Sequence, residues 1–372
     1  MEANIKHERI NSLQALRAIA FLSVFIFHAN RSFLGDGVLY DSFIKSLGRW
    51  GVSVFFVLSG FVMTYAYWDR PPKENIKGAF FFSIRKIQKL YPLHLIMLFM
   101  GSVYMLLKHE TLLGILKRLA ITIPLLQTWF PVEYMAINSV AWYLSACVFL
   151  YFGFPYLLKL IKKRNSRIRS IVAMLIIFTV QLIIGFLFFH HTQIDIKWIT
   201  YCHPLFRFGD FAIGGFLASL YLYKKDRTVS NHSSAFFSSV LEVLAVALNI
   251  IVCIFYTKTT SNSYWFSYTC LFTPSTVLLI YVFSLNKGIV SRLLTNRSVL
   301  WIAFISPYAF LIHRLVISYF HAFTVQALHL QNFNFIVAVL ISFGLTVLAT
   351  YLYLALEKKV RSLFKGRKAK TR

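Results

Sequence analysis

The chain has 372 residues, of which 58% are hydrophobic and 14% charged, whereas soluble domains hold about 45–50% apolar and about 25% charged residues. Its 39 Lys and Arg against 13 Asp and Glu give a formal net charge of +26. No nucleic-acid-binding module accompanies that excess, so the charge is read as membrane topology and no nucleic-acid partner is expected.

Apolar runs near the roughly 20 residues that cross a bilayer recur along the chain. They fall at about 12–30, 50–68, 90–108, 140–160, 169–189, 204–223, 236–256, 264–284, 301–322 and 334–356. An eleventh stretch, about 115–130, is short and carries Pro124 and Pro131. It is expected to be re-entrant or interfacial. The predicted fold is all-α: a polytopic bundle of about ten spans plus that segment. Residues 1–356 are read as one membrane domain and 357–372 as a basic tail attracted to anionic lipid.

The first run follows Lys6 and Arg9, as a signal peptide would. No small-residue cleavage site follows and Arg17 interrupts it, so it is read as an uncleaved span. If the N-terminus is cytoplasmic, 28 Lys/Arg fall in inside segments, 8 in outside segments and 3 within spans. That asymmetry puts both termini inside.

Two residues of the first span stand out. Arg17 and His28 are 11 positions apart, which on a helix is about three turns and about 16 Å along one face. Such a face suits a channel for an anionic substrate, whereas snorkelling of each residue to its nearer headgroups is the plain alternative. In the second loop, "FFFSIRKIQKLYPLH" groups Arg85, Lys86 and Lys89 on one helical patch. Alone it reads as the usual basic inside loop, and a phosphate grip is the functional alternative. Phe80, Phe81, Phe82 and Ile84 beside it suit the interface.

Further along, Arg207 and Asp210 have the spacing of a helical pair and are read as structural. Glu242 reads as interfacial, and Glu357 as the inner end of the last span. In "SPYAFLIHRLVISYF", His313 and Arg314 fall near mid-bilayer after Pro307, where snorkelling is hard. The four cysteines (Cys147, Cys202, Cys253 and Cys270) form no C-x-x-C pair. They are read as buried small hydrophobes with no metal site, and a Cys202–Cys270 disulfide is the weaker alternative.

Seven stretches in order resemble the acyltransferase-3 family of integral membrane acyltransferases. They are "LQALRAIAFLSVFIFH", "GVSVFFVLSGF", "IRKIQKLYPLH", "AWYLSACVFLYFGFPYL", "FRFGDFAIGGFLA", "FISPYAFLIHRLV" and "YLALEKKVRSLF". The resemblance implies transfer of an acyl group, usually acetyl, from cytoplasmic acyl-CoA to a sugar hydroxyl of a cell-surface or exported glycan. It implies the cell membrane as location and membrane lipid, acyl-CoA and a glycan acceptor as partners. It names His28 as the catalytic candidate, either as general base or as acyl carrier. His313 and Arg314 are then candidates for the oxyanion or the acceptor, with Trp142 and Tyr308 beside the acceptor. Arg17, Arg85, Lys86 and Lys89 are the acyl-CoA candidates.

Two departures bear on these roles. Only Arg85 is an arginine where the family often has two, and "SACVF" stands where many relatives carry a glutamate. With sixteen residues after the last span, any partner that relays the acyl group is expected to be separate. A transporter or flippase of an anionic lipid or glycan is the rival reading.

Overall fold

Where lipid replaces water, a span satisfies its backbone internally and turns apolar side chains outward as well as inward. The computed structural model shows that pattern. It describes residues 8–33, 41–163, 166–191, 195–227, 235–258, 266, 268, 270–328 and 334–370. Thirteen α-helices are described: α1 (Asn11–Phe33), α2 (Asp41–Tyr67), α3 (Ile76–Ile87), α4 (Tyr91–Leu107), α5 (Leu112–Thr122), α6 (Trp142–Lys163), α7 (Arg167–His191), α8 (Pro204–Arg227), α9 (Ala235–Lys258), α10 (Thr273–Ser284), α11 (Ile289–Leu294), α12 (Arg297–His321) and α13 (Phe335–Lys370). The described residues include no strand.

Eight of these helices are long and apolar enough to span, and α3 with α4 passes the same test only as a pair bent by 61°, the form of a broken span or a re-entrant loop. The chain is a multi-pass membrane protein of the all-α class. Of the expected eighth span, 264–284, residues 264, 265, 267 and 269 lie outside the described residues, and its second half is the 12-residue helix α10. Pro274 lies in the first turn of that helix, where its missing N–H costs no hydrogen bond. The basic tail carries on from the last span as one helix to Lys370, with Arg361 paired to Glu357 at 2.6 Å.

α1, α2, α8 and α12 form the middle of the bundle. Glycines let α2 touch its neighbours backbone to backbone. A Cβ on Gly60 would collide with the Phe211 carbonyl, and one on Gly214 with the Val57 carbonyl, so α2 and α8 meet there without side chains. Gly51 approaches Ser23 and the Ala20 carbonyl of α1 in the same way. α7 has only 11% of its apolar window buried, so it lies on the lipid-facing rim.

Polar residues inside the bundle hold it together. Arg207 and Asp210 are fully buried and 2.7 Å apart. Arg207 Nε also donates to the Tyr201 carbonyl, while Asp210 accepts from Gln181 and Thr273. The pair therefore ties α8 to α7 and α10. Glu242 is buried against protein, and its carboxylate accepts from Gly288 N, Ser291 N and the Ser291 hydroxyl. It caps the start of α11, a role invisible from an apolar window. All four cysteines are free buried thiols, so Cys202 and Cys270 form no disulfide.

The eleventh apolar stretch is the short helix α5 followed by irregular backbone that dips into the protein. Gln127, Thr128 and Asn138 are buried. Ser145 of α6 donates to the Leu125 carbonyl at 2.6 Å and shares a 2.7 Å hydrogen bond with Thr128. Non-helical backbone is tolerated at membrane depth where protein groups satisfy it in this way. Ser145 thus holds this segment.

Candidate active site

α1 presents Arg17 and His28 on one face, as their spacing requires. Each lines a separate cavity. The Arg17 cavity encloses about 230 Å³ and includes Lys86, Tyr143, Cys147 and Pro307 in its wall. The His28 cavity encloses about 390 Å³ and includes Arg31, Arg49, Trp142, Lys197 and Arg314. Phe310 lines both. Its ring packs against Phe55 at 5.6 Å and Tyr143 at 5.5 Å between centroids. An aromatic wall therefore separates two spaces that meet at one side chain.

α12 brings the second histidine behind this wall. Pro307 lacks an N–H, which frees the Ala303 carbonyl, and the Ser306 hydroxyl donates to it at 3.0 Å. Nearly two turns further, His313 is fully buried, and its Nδ1 lies 2.8 Å from the Phe310 carbonyl and 3.2 Å from that of Ala309. Carbonyls only accept, so His313 Nδ1 carries the proton. Its Nε2 lies 2.8 Å from His28 Nδ1. With both rings neutral, His313 Nε2 accepts and His28 Nδ1 donates. The lone pair of His28 is then on Nε2, as a base on the cavity wall requires.

The other sequence candidates divide between the cavities. Arg17 shares the Gln14 side-chain oxygen with Arg9, each at 3.1 Å, and no ion pair among the described residues involves it. Lys86 sits in the same wall, over the Tyr67 ring at 4.4 Å. Arg85 is exposed, lines neither cavity and donates to the Phe81 carbonyl of its own helix at 3.3 Å. Lys89 is exposed and lies over the Tyr308 ring at 5.2 Å. Tyr308 is itself buried against Tyr353 and also stands outside both cavities. Phe80, Phe81 and Ile84 are exposed as expected, but Phe82 is buried and stacks on Phe154.

Around His28, Arg314 donates to the Ser32 hydroxyl at 2.9 Å. Trp142 packs against Tyr201 at 5.0 Å and Phe56 at 5.9 Å. His313 lines neither cavity; it touches His28 and not the open space. Sequence reasoning missed Arg31, Lys45, Arg49 and Lys197, which share the His28 cavity, and Phe310. Arg31 carried a signal, since it stands three residues after His28 and shares its helix face. Among the described residues there is no His/Cys/Asp/Glu cluster that would hold a metal ion.

The bundle thus sets a hydrogen-bonded histidine on the wall of one of two cavities that share Phe310. The family described as "Acyltransferase domain", acyltransferase-3, matches residues 10–355. The chain belongs to this family.

It is 34% identical over 163 residues to the acyltransferase MdmB of Streptomyces mycarofaciens, covering 42% of this chain and 41% of that protein. It is 29% identical over 126 residues to a putative O-acetyltransferase of Staphylococcus aureus (strain COL), covering 34% of this chain and 19% of that protein. A similar protein of strain MSSA476 is 29% identical over 119 residues, 18% of its length. The matched region thus spans about two fifths or less of these relatives. No solved structure shows a significant match.

Proposed function

We propose that the protein moves an acyl group, acetyl by preference, from acyl-CoA to a sugar hydroxyl of a cell-surface or exported polysaccharide or its lipid-linked precursor. On this reading it works in the cell membrane, with acyl-CoA entering from the cytoplasm at the Arg17 cavity. A space of about 230 Å³ is narrow beside pockets for drug-sized ligands, which run from about 300 Å³. It suits the thin pantetheine arm, with the nucleotide left at the surface near Lys86, Lys89 and Arg85. Arg17 then meets an anionic or carbonyl oxygen of the donor. The thioester reaches the Phe310 wall and meets the acceptor hydroxyl beside His28.

His28 Nε2 takes the hydroxyl proton as the oxygen attacks the thioester carbonyl, forming a carbon–oxygen bond. The tetrahedral intermediate collapses, the carbon–sulfur bond breaks, and the proton passes from His28 to the departing thiolate. Free coenzyme A and an ester remain. His313 holds the productive tautomer and supports the imidazolium that forms. Arg314 is placed to stabilise the oxyanion or grip the acceptor.

The observation that carries this reading is the placement of His28: on one cavity, bonded to His313, one aromatic ring away from the other cavity. The experiment uses purified full-length protein in nanodiscs with labelled acetyl-CoA and a glycan acceptor. Label is expected in an alkali-labile ester on the glycan, with one coenzyme A released per ester. Coenzyme A release with no labelled glycan across a broad acceptor panel would count against it.

A further inference from the structure

The His28 cavity holds a concentration of positive charge that proton transfer does not require. Arg31, Lys45, Arg49, Lys197 and Arg314 all line it. On the ten-span reading of the sequence only eight of the 39 Lys and Arg fall in outside segments, and four of those eight line this cavity. A chain that keeps its cations on the other side has gathered these around one space of about 390 Å³. Cations crowded in a partly desolvated space repel one another unless an anion joins them.

No ion pair among the described residues involves Arg31, Lys197 or Arg314. Asp195 stands on the same turn as Lys197. Its carboxylate accepts the Lys197 N–H at 2.9 Å and the Tyr134 hydroxyl at 2.7 Å, and it does not line the cavity. The Arg314 guanidinium is steered by the Ser32 hydroxyl. That of Arg49 lies 4.1 Å from the centre of the Tyr268 ring and 4.8 Å from that of Tyr256. Stacking of that kind pre-orients a planar guanidinium at little further entropic cost. Three arginine forks and two ammonium groups converge beside the candidate base, the donor set that grips a phosphate or carboxylate.

We propose that the acceptor is anionic: it carries a phosphate or carboxylate close to the acylated hydroxyl, and the cations around His28 bind that group. This rests on the acyl-transfer reading of the same cavity. The anion fixes the register of the sugar, so that one hydroxyl faces His28. A neutral glycan of the same length loses this anchor.

The test measures binding directly, so it does not depend on turnover. Full-length protein in nanodiscs of zwitterionic lipid is titrated with three probes: a uronate-containing oligosaccharide, its neutral counterpart of equal length, and a short polyprenyl-phosphate-linked sugar. At least one charged probe is expected to bind about tenfold or more tighter than the neutral one, and to weaken as salt rises. The uronate arm or the phosphate arm identifies which anion the site takes. In R31Q/R314Q protein the preference is expected to fall to about twofold or less. K197Q alone, on a separate segment, gives a smaller loss in the same direction and guards against misfolding of the double variant. Equal binding of charged and neutral probes, or a preference unchanged in the variants, overturns the proposal. Charge-selective binding by protein that transfers no acetyl group would instead leave this inference standing and remove the acyl-transfer reading.

Discussion

His28 and His313 stand 285 positions apart in the chain and share one hydrogen bond of 2.8 Å. The two carbonyls on His313 Nδ1 decide its direction, so the buried histidine sets the tautomer of the cavity-lining one. His313→Ala is expected to lower kcat by about 10²-fold or more, the scale of a positioned acid–base group. KM for acetyl-CoA should stay within about threefold, because His313 lines neither cavity. His313→Gln, whose side-chain oxygen still accepts from His28, should recover part of the loss. Steady-state kinetics on the three proteins decides this, and a pure KM effect would remove the positioning role.

Phe310 is the side chain common to both cavity walls. Phe310→Ala should join the two spaces and admit water to the thioester. Acetyl-CoA hydrolysis without acceptor is expected to rise about tenfold, while transfer per coenzyme A released falls. Phe310→Tyr, which keeps the ring, should keep the coupling. The measurement is the ratio of coenzyme A released to ester formed.

Lys86 lines the Arg17 cavity whereas Arg85 is exposed and bonded to its own helix. Lys86→Ala should therefore raise the apparent KM for acetyl-CoA more than Arg85→Ala does, by several-fold, with less effect on the acceptor KM. If Arg85→Ala has the larger effect, Arg85 and not Lys86 is the main contact of the nucleotide phosphates. A direct competition assay with desulfo-coenzyme A separates binding from chemistry.

Arg207 and Asp210 form a fully buried pair. Removing one partner from such a pair leaves a buried charge uncompensated, at about 3–5 kcal/mol. Arg207→Met is expected to lower the thermal midpoint sharply in detergent. Arg207→Met with Asp210→Leu should regain much of that loss, since both charges are then gone. Equal instability of the single and double variants would show that the shape of the pair matters more than its charge.

The parts of this architecture legible in sequence were those written in local spacing. Hydropathy located the long spans, and the interval between Arg17 and His28 put them on one face. The interval said nothing of His313, because helices distant in sequence meet only through packing. Gly60 and Gly214, which let α2 and α8 touch, do not announce their partners either. The capping role of Glu242 was not legible because its partners at 288 and 291 lie beyond any local window. Arg31, Lys45, Arg49 and Lys197 each passed as ordinary loop charge, and only the fold shows them sharing a cavity.

The central claim is that His28 is the base that draws the acceptor proton during acyl transfer, and its most direct measurement is single-turnover transfer from labelled acetyl-CoA by His28→Ala protein. The variant is expected to insert, keep its thermal midpoint within a few degrees, and bind acetyl-CoA, yet form labelled ester at least about 10³-fold more slowly than wild type. Wild-type ester formation by the well-folded His28→Ala protein would contradict the account.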